Sequence, residues 1–243
     1  MLALGLTRPQ QFSLQQTLQV KLLARKPEKV TKVLSKLFDA DTLETYQENI
    51  TVVAGGVMDE AVMDQLLEGT QAVLSFLGMV DPKVWVVSPG VESIIKGLKR
   101  IAAGGGSPPK LVSMSAMGIG DSFEQMKASN WFMGRLTAWV IIPYMLKSCF
   151  DDLEASEKMI QSEWEQEDSK LTLSIIRAPV LRDYNNYTVD FLSDVKDYHI
   201  LSPSDCVNIG GVFIDRQQVA GGFLDVMDSS DWDGKTVTVS KTL

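Results

Sequence analysis

The chain has 243 residues, and its 23 basic against 31 acidic side chains give a formal charge of −8. With 45% hydrophobic and 22% charged residues, it can bury a sizeable core, which excludes disorder as the main state. Net acidity argues against a nucleic-acid partner, which needs a basic face. The nearest approach to a membrane span, Leu136 to Leu146, is too short and contains Pro143, so no membrane partner is expected.

Cys149 and Cys206 cannot form a disulfide framework, which makes a reducing, cytoplasmic setting the default. Up to Pro27 the chain lacks Asp and Glu and carries Arg8, Lys21, Arg25 and Lys26. Without a Ser- and Arg-rich amphipathic run this does not make an import leader, although composition leaves organelle import open. His199, the one histidine, argues against a histidine metal cluster or a Ser-His-Asp triad; no metal is expected.

In chain order, Leu2 to Leu6 reads as a strand, followed by a polar stretch to Thr17 and a second strand, Gln19 to Ala24. Thr51 to Ala54 is a third, ending at Gly55-Gly56. Asp59 is placed to cap a helix through Leu67, where Val62 and Leu66, and Met63 and Leu67, pair at i,i+4 and Gly69 marks the stop. Ala72 to Leu77 is the fourth strand, closed by Gly78. A helix from Val91 to Ala103 shows one apolar stripe of Val91, Ile94, Ile95, Leu98 and Ala102. Lys110 to Ala116 is the fifth strand, and Leu171 to Ile176 the sixth. Strands separated by helix-length segments imply βαβ units. The predicted fold is a single α/β domain over 1–243, a doubly wound, mostly parallel sheet with residues 182–243 forming a small cap on the substrate side. Ligands of such sheets sit at the carboxyl ends of the strands.

Several strand-end segments, taken in order, carry a family resemblance. They are Val20 to Lys29, Gly55-Gly56-Val57-Met58-Asp59, Ala72 to Gly78, Lys110 to Ser115, Leu171 to Leu181 with Arg177 and Pro179, Ile214 to Ala220, and Trp232-Asp233-Gly234-Lys235. Together they resemble the NmrA-like branch of the atypical short-chain dehydrogenase/reductases, which are NAD(P)-binding Rossmann proteins. The resemblance implies a dinucleotide across the strand ends, its adenosine half near strand two. There Arg25 can grip a 2′-phosphate and Lys26 and Lys29 add charge. No acid ends strand two to accept ribose hydroxyls, so NADPH is expected over NADH. Gly56 and Val57 would offer backbone groups to the adenine, Leu77 and Gly78 would meet the adenosine or phosphate side, Ser115 would face the nicotinamide, and Pro179 and Val180 would line that half.

Two features depart from the pattern. The fold's phosphate-binding turn needs glycines between strand one and its helix. Here Gly5-Leu6-Thr7-Arg8-Pro9-Gln10-Gln11 matches only at Gly5, and the stretch to Arg25 is short for a helix-plus-strand crossover. Gly5, Thr7 and Arg8 are the candidate contacts. Arg8 could replace amide donors with charge, the site could be degenerate, or the sequence could be a shortened form of a longer chain. The second departure is the Tyr-x-x-x-Lys pair of carbonyl-reducing relatives, whose positions hold Cys149 and Leu153. Tyr144 and Lys147, three apart, are the substitutes on offer. The adjacent Asp151 and Asp152 read as a solvated helix start. Trp131, Phe132 and Trp139, like Tyr184, Tyr187 and Phe191, read as core or as the wall of a pocket for a flat substrate.

The resemblance implies an NADPH-dependent oxidoreductase that passes a hydride to a small conjugated acceptor such as a flavin or quinone, biliverdin/flavin reductases being relatives of this kind. Ser115, Tyr144 and Lys147 are the catalytic candidates. The alternative is a catalytically degenerate NAD(P)-binding sensor or scaffold acting through a protein partner. An epimerase or dehydratase is disfavoured by the missing tyrosine.

Overall fold

The computed structural model describes residues 3–7, 18–78, 81, 83–128, 136–182, 198–202 and 213–241. The strands are β1 (Ala3–Thr7), β2 (Gln19–Ala24), β3 (Ile50–Ala54), β4 (Ala72–Ser75), β5 (Lys110–Ala116), β6 (Leu173–Ala178), β7 (Val180–Arg182), β8 (Tyr198–Leu201), β9 (Phe213–Asp215) and β10 (Thr236–Lys241). The helices are α1 (Pro27–Leu37), α2 (Ala40–Gln47), α3 (Glu60–Leu67), α4 (Val87–Ala103), α5 (Asp121–Ala128), α6 (Lys147–Trp164) and α7 (Arg216–Asp228), with a π-helix at Thr137–Leu146. Proline has no N–H to give to a helix ladder, so Pro143 leaves a gap inside that π-helical turn.

One sheet has the order β3-β2-β1-β4-β5-β6-β10-β8, and β7 and β9 pair separately. Every residue of β4 and of β6 is buried, as a central parallel strand under two helical layers requires. On one face α3, α4 and α6 contribute Met63, Leu66, Ile94, Leu98 and Ile160 to a core shared with Leu111 and Ile175. On the other, α7 sets Phe223 and Val226 against Val112, Ile176 and Val237, and Val30 of α1 packs on Leu22 and Ala24. The fold is the expected doubly wound, mostly parallel α/β sheet. Of the C-terminal stretch, β8 and β10 belong to the main sheet and α7 to its helical layer, while the β7–β9 pair extends beyond the end of β6.

The second and fifth strands lie where the sequence places them, and Asp59 caps α3 through the amides of Ala61 and Val62. The first strand does not behave as expected. It is antiparallel to both neighbours, with Gly5 opposite Lys21 on β2 and Val73 on β4, and Thr7 opposite Gln19. The physical reason is the connection: parallel neighbours need a crossover, normally helical, of a dozen or more residues, and the stretch between β1 and β2 is too short for one. Helix α4 starts at Val87 rather than Val91. Arg8, Trp131, Phe132, Tyr184, Tyr187, Phe191 and Cys206 lie outside the described residues. Among those described, no helix is long and apolar enough to cross a membrane, and no group of residues could hold a metal ion.

Candidate functional site

Strands β2, β3, β4, β5 and β6 run in one direction, so their carboxyl ends share an edge. Arg25 and Lys26 follow β2, Gly55 to Val57 follow β3, Leu77 and Gly78 follow β4, Ser115 sits near the end of β5, and Pro179 and Val180 follow β6. Most of the residues singled out in the sequence thus meet at one edge. Gly5 and Thr7 do not. The register places Gly5 in mid-strand and Thr7 at the amino end of β2, on the far side of the sheet. A reversed strand cannot present a glycine-rich turn at the carboxyl edge, which corrects the reading of Gly5 and Thr7 as contacts in that turn.

At the β2 corner, Arg25 and Lys26 are exposed. Lys26 is the N-cap of α1, which has no side-chain cap and has Pro27 in its first turn. Pro27 has no N–H and the Lys29 amide donates to the Lys26 carbonyl at 3.0 Å, so what this corner offers an anion is the two exposed cations and the Glu28 amide, with the Glu28 carboxylate in the same turn. At the β3 corner the conformational demand falls on Gly55, not Gly56. Gly55 has φ +154° and a Cβ there would lie 2.6 Å from Val62, so only glycine fits. Gly56 and Gly78 are open, with nothing within 4 Å of where a Cβ would stand. Val57 and Leu77 bury their side chains in the core and bring only backbone to the edge.

Ser115 pairs with Arg177 across β5 and β6. Its hydroxyl is buried without a hydrogen-bond partner, as is that of Ser75. Arg177 and Glu157, each 3% exposed, form a two-point pair. Nε donates to Oε1 at 3.0 Å and Nη2 to Oε2 at 2.7 Å, and Nη1 reaches Asp121. Burial works against the guanidinium charge, but Glu157 and Asp121 outweigh it and hold its pKa above the ordinary arginine range. The pair ties the carboxyl end of β6 to α6 and to the start of α5.

Asp152 corrects another expectation. It is fully buried, and its carboxylate accepts the amides of Val86, Val87 and Ser88 at the start of α4. Sequence reading missed it because adjacent carboxylates at a helix start look solvated. The signal was on α4, which opens on Val86 with no capping side chain of its own. Asp151, its neighbour, binds the Lys147 ammonium at 2.7 Å. Tyr144 is 82% exposed, so Tyr144 and Lys147 are not assembled as a proton-donating pair. Cys149 is half-buried, and burial, with Asp152 nearby, pushes its thiol pKa up. Beyond β5 lies a cavity of about 420 Å³ with Ile119, Phe123, Ile142 and Phe150 on its walls and Lys147 and Glu154 among its polar residues.

A family model described as NAD(P)H-binding matches residues 10–229. The chain belongs to this NAD(P)H-binding family. Solved structures agree on the fold at low identity. A wide-type short-chain dehydrogenase/reductase from Veillonella parvula, in complex with NADP, is 14% identical with a TM-score of 0.59, covering 91% of this chain and 82% of its own. An anaerobillin reductase from Escherichia coli O157:H7 is 14% identical with a TM-score of 0.54, covering 88% and 90%. A candidate NADH-flavin reductase from Streptococcus pneumoniae TIGR4 is 12% identical with a TM-score of 0.55, covering 79% and 80%. No curated protein matches the chain. A nicotinamide dinucleotide laid along this edge would meet the exposed cations Arg25 and Lys26 at the β2 corner, the open Gly56 and Gly78 at the β3 and β4 ends, and, near the end of β5, Ser115 with its buried, unpartnered hydroxyl. Between those ends the first strand runs the wrong way to supply the family's turn.

Proposed function

We propose that this family member is an NADPH-dependent oxidoreductase of the atypical, NmrA-like short-chain type, acting on a small conjugated acceptor such as a flavin or quinone. One observation carries the NADPH preference: Arg25 and Lys26 stand exposed at the uncapped start of α1, with no acid at the end of β2. Charge-assisted hydrogen bonds from a guanidinium suit a 2′-phosphate, whereas a ribose hydroxyl calls for a carboxylate. Backbone groups of Gly56, Val57, Leu77 and Gly78 would meet the adenosine side. The Ser115 hydroxyl would orient the nicotinamide amide, and Pro179 and Val180 would line that half. The bound coenzyme supplies the hydride. The apolar side chains of Phe123, Ile142 and Phe150 on the cavity wall would hold a flat ring against it. Gly5 and Thr7 drop out of this reading because of their register. Reductases of flavin and anaerobillin among the structural neighbours support the reaction class. With Tyr144 exposed and Lys147 bonded to Asp151, acceptors that need little acid from the protein are favoured. The half-buried free thiol of Cys149 suits a reducing, cytoplasmic setting.

Calorimetric titration with NADPH and NADH, followed by NADPH oxidation with flavin and quinone acceptors, tests the proposal. NADPH should bind at least about tenfold tighter than NADH, and Arg25→Ala should erase most of that preference. Failure to oxidise NADPH with any of these acceptors would overturn the reductase reading. Tight NADPH binding without turnover would bring forward a sensor acting through a partner, a role to which the reductase neighbours lend nothing.

A further inference from the structure

We infer that the polar cavity between the last turns of α6 and the start of β10 is a further binding site, for a small planar carboxylate. Its volume is about 340 Å³, and Gln161, Arg177, Ser202, Trp232, Lys235 and Thr236 are among its walls. It shares no lining residue with the cavity beyond β5. In the strand order it lies on the β10 side of the sheet, away from the ends of β2, β3 and β4.

The walls differ from the core beside them. Under α6, β6 supplies Leu173 and Ile175 to an apolar core. Thr236 of β10 stands opposite Ile175, and Thr238 opposite Arg177, so threonines continue those rows on the same face. Val237 and Val239, on the other face, join the apolar core under α7. Strand β10 is therefore apolar toward α7 and polar toward α6, where the cavity lies. An empty packing gap is lined by apolar groups, whereas a cavity with polar walls takes up water or a ligand.

Hydrogen-bonding capacity is left over there. The Thr236 hydroxyl is buried without a partner. Among the described residues, the Gln161 carboxamide forms no hydrogen bond and the Lys235 ammonium no ion pair; Lys235 lies 5.9 Å from the centre of the Trp232 ring. Arg177, by contrast, is spent on Glu157 and Asp121, one guanidinium against two carboxylates. A carboxylate therefore belongs at the Lys235 end, where ammonium, carboxamide and hydroxyl can all donate. The Trp232 ring offers an apolar surface to a planar body.

Calorimetry on the full chain with 2-naphthoate, and with 2-naphthamide as its uncharged twin, tests this. The naphthoate should bind with a dissociation constant of about 1 mM or below, and the amide at least about fourfold more weakly. Lys235→Met should weaken naphthoate binding at least about fourfold and leave the amide within about twofold. Lys235 is exposed, so its loss does not threaten folding. Lys147→Met, which changes the other cavity, should leave naphthoate binding within about twofold of wild type. No naphthoate binding up to about 10 mM, equal binding of acid and amide, or an equal loss in Lys147→Met and Lys235→Met would overturn the inference.

Discussion

Asp152 and Ser88 bind each other twice: one carboxylate oxygen accepts the Ser88 amide at 2.8 Å and the Ser88 hydroxyl at 2.6 Å. The other oxygen accepts the amides of Val86 and Val87, each at 2.9 Å. A carboxylate 64 positions away in the chain thus caps α4, and the cap locks α6 onto α4 above the core. Removing it strands buried donors and a helix start together. Asp152→Ala should lower stability by about 2–4 kcal/mol, seen as a fall in Tm of roughly 5–12 °C. Asp152→Asn, which keeps an acceptor but loses the charge, should fall less. Thermal unfolding of both variants checks this, and an unchanged Tm in Asp152→Ala would mean that the amides find other partners.

The buried pair of Arg177 and Glu157 gives a sharper contrast. Loss of one partner leaves an uncompensated charge, so Arg177→Ala should destabilise by about 3–5 kcal/mol. Replacing both with apolar residues of similar size, Arg177→Met with Glu157→Leu, should recover most of that loss, since desolvation of the pair largely offsets its attraction. Denaturant titration of the single and double variants decides the matter. A double variant as unstable as the single would show that the Asp121 contact, not Glu157, dominates.

Alkaline pH should act through Tyr198. Its phenol is held above the ordinary tyrosine range by burial first and then by its hydrogen bond to Asp225. A group whose folded pKa is raised contributes stability that is complete below its unfolded pKa and lost as pH climbs toward the folded value. The stability difference between wild type and Tyr198→Phe should therefore be largest at and below about pH 9 and shrink toward pH 11. A difference that grows across that range would contradict the assignment.

Tyr144→Phe should leave any NADPH oxidation within about twofold of wild type, because an 82% exposed phenol gains nothing from an ammonium already bonded to Asp151. Lys147→Met should behave alike. Steady-state rates across a pH series suffice. A loss of a hundredfold or more in Tyr144→Phe would mean that the pair assembles on substrate binding.

Composition and local pattern determined much of this protein. The β-branched and apolar runs at Gln19–Ala24 and Lys110–Ala116, the Asp59 cap and the stripe on α4 are local effects, set by backbone preference and by the period of apolar residues, so the α/β class and most of the carboxyl edge were legible without coordinates. Strand direction, by contrast, is not a local property. Whether β1 runs with or against its neighbours depends on how the connection to β2 closes, and only the register of Gly5 with Lys21 and Val73 decided it. The same holds for Asp152 and Arg177, whose partners lie far away in sequence: burial of a charge depends on which distant group meets it, and adjacent residues carry no record of that.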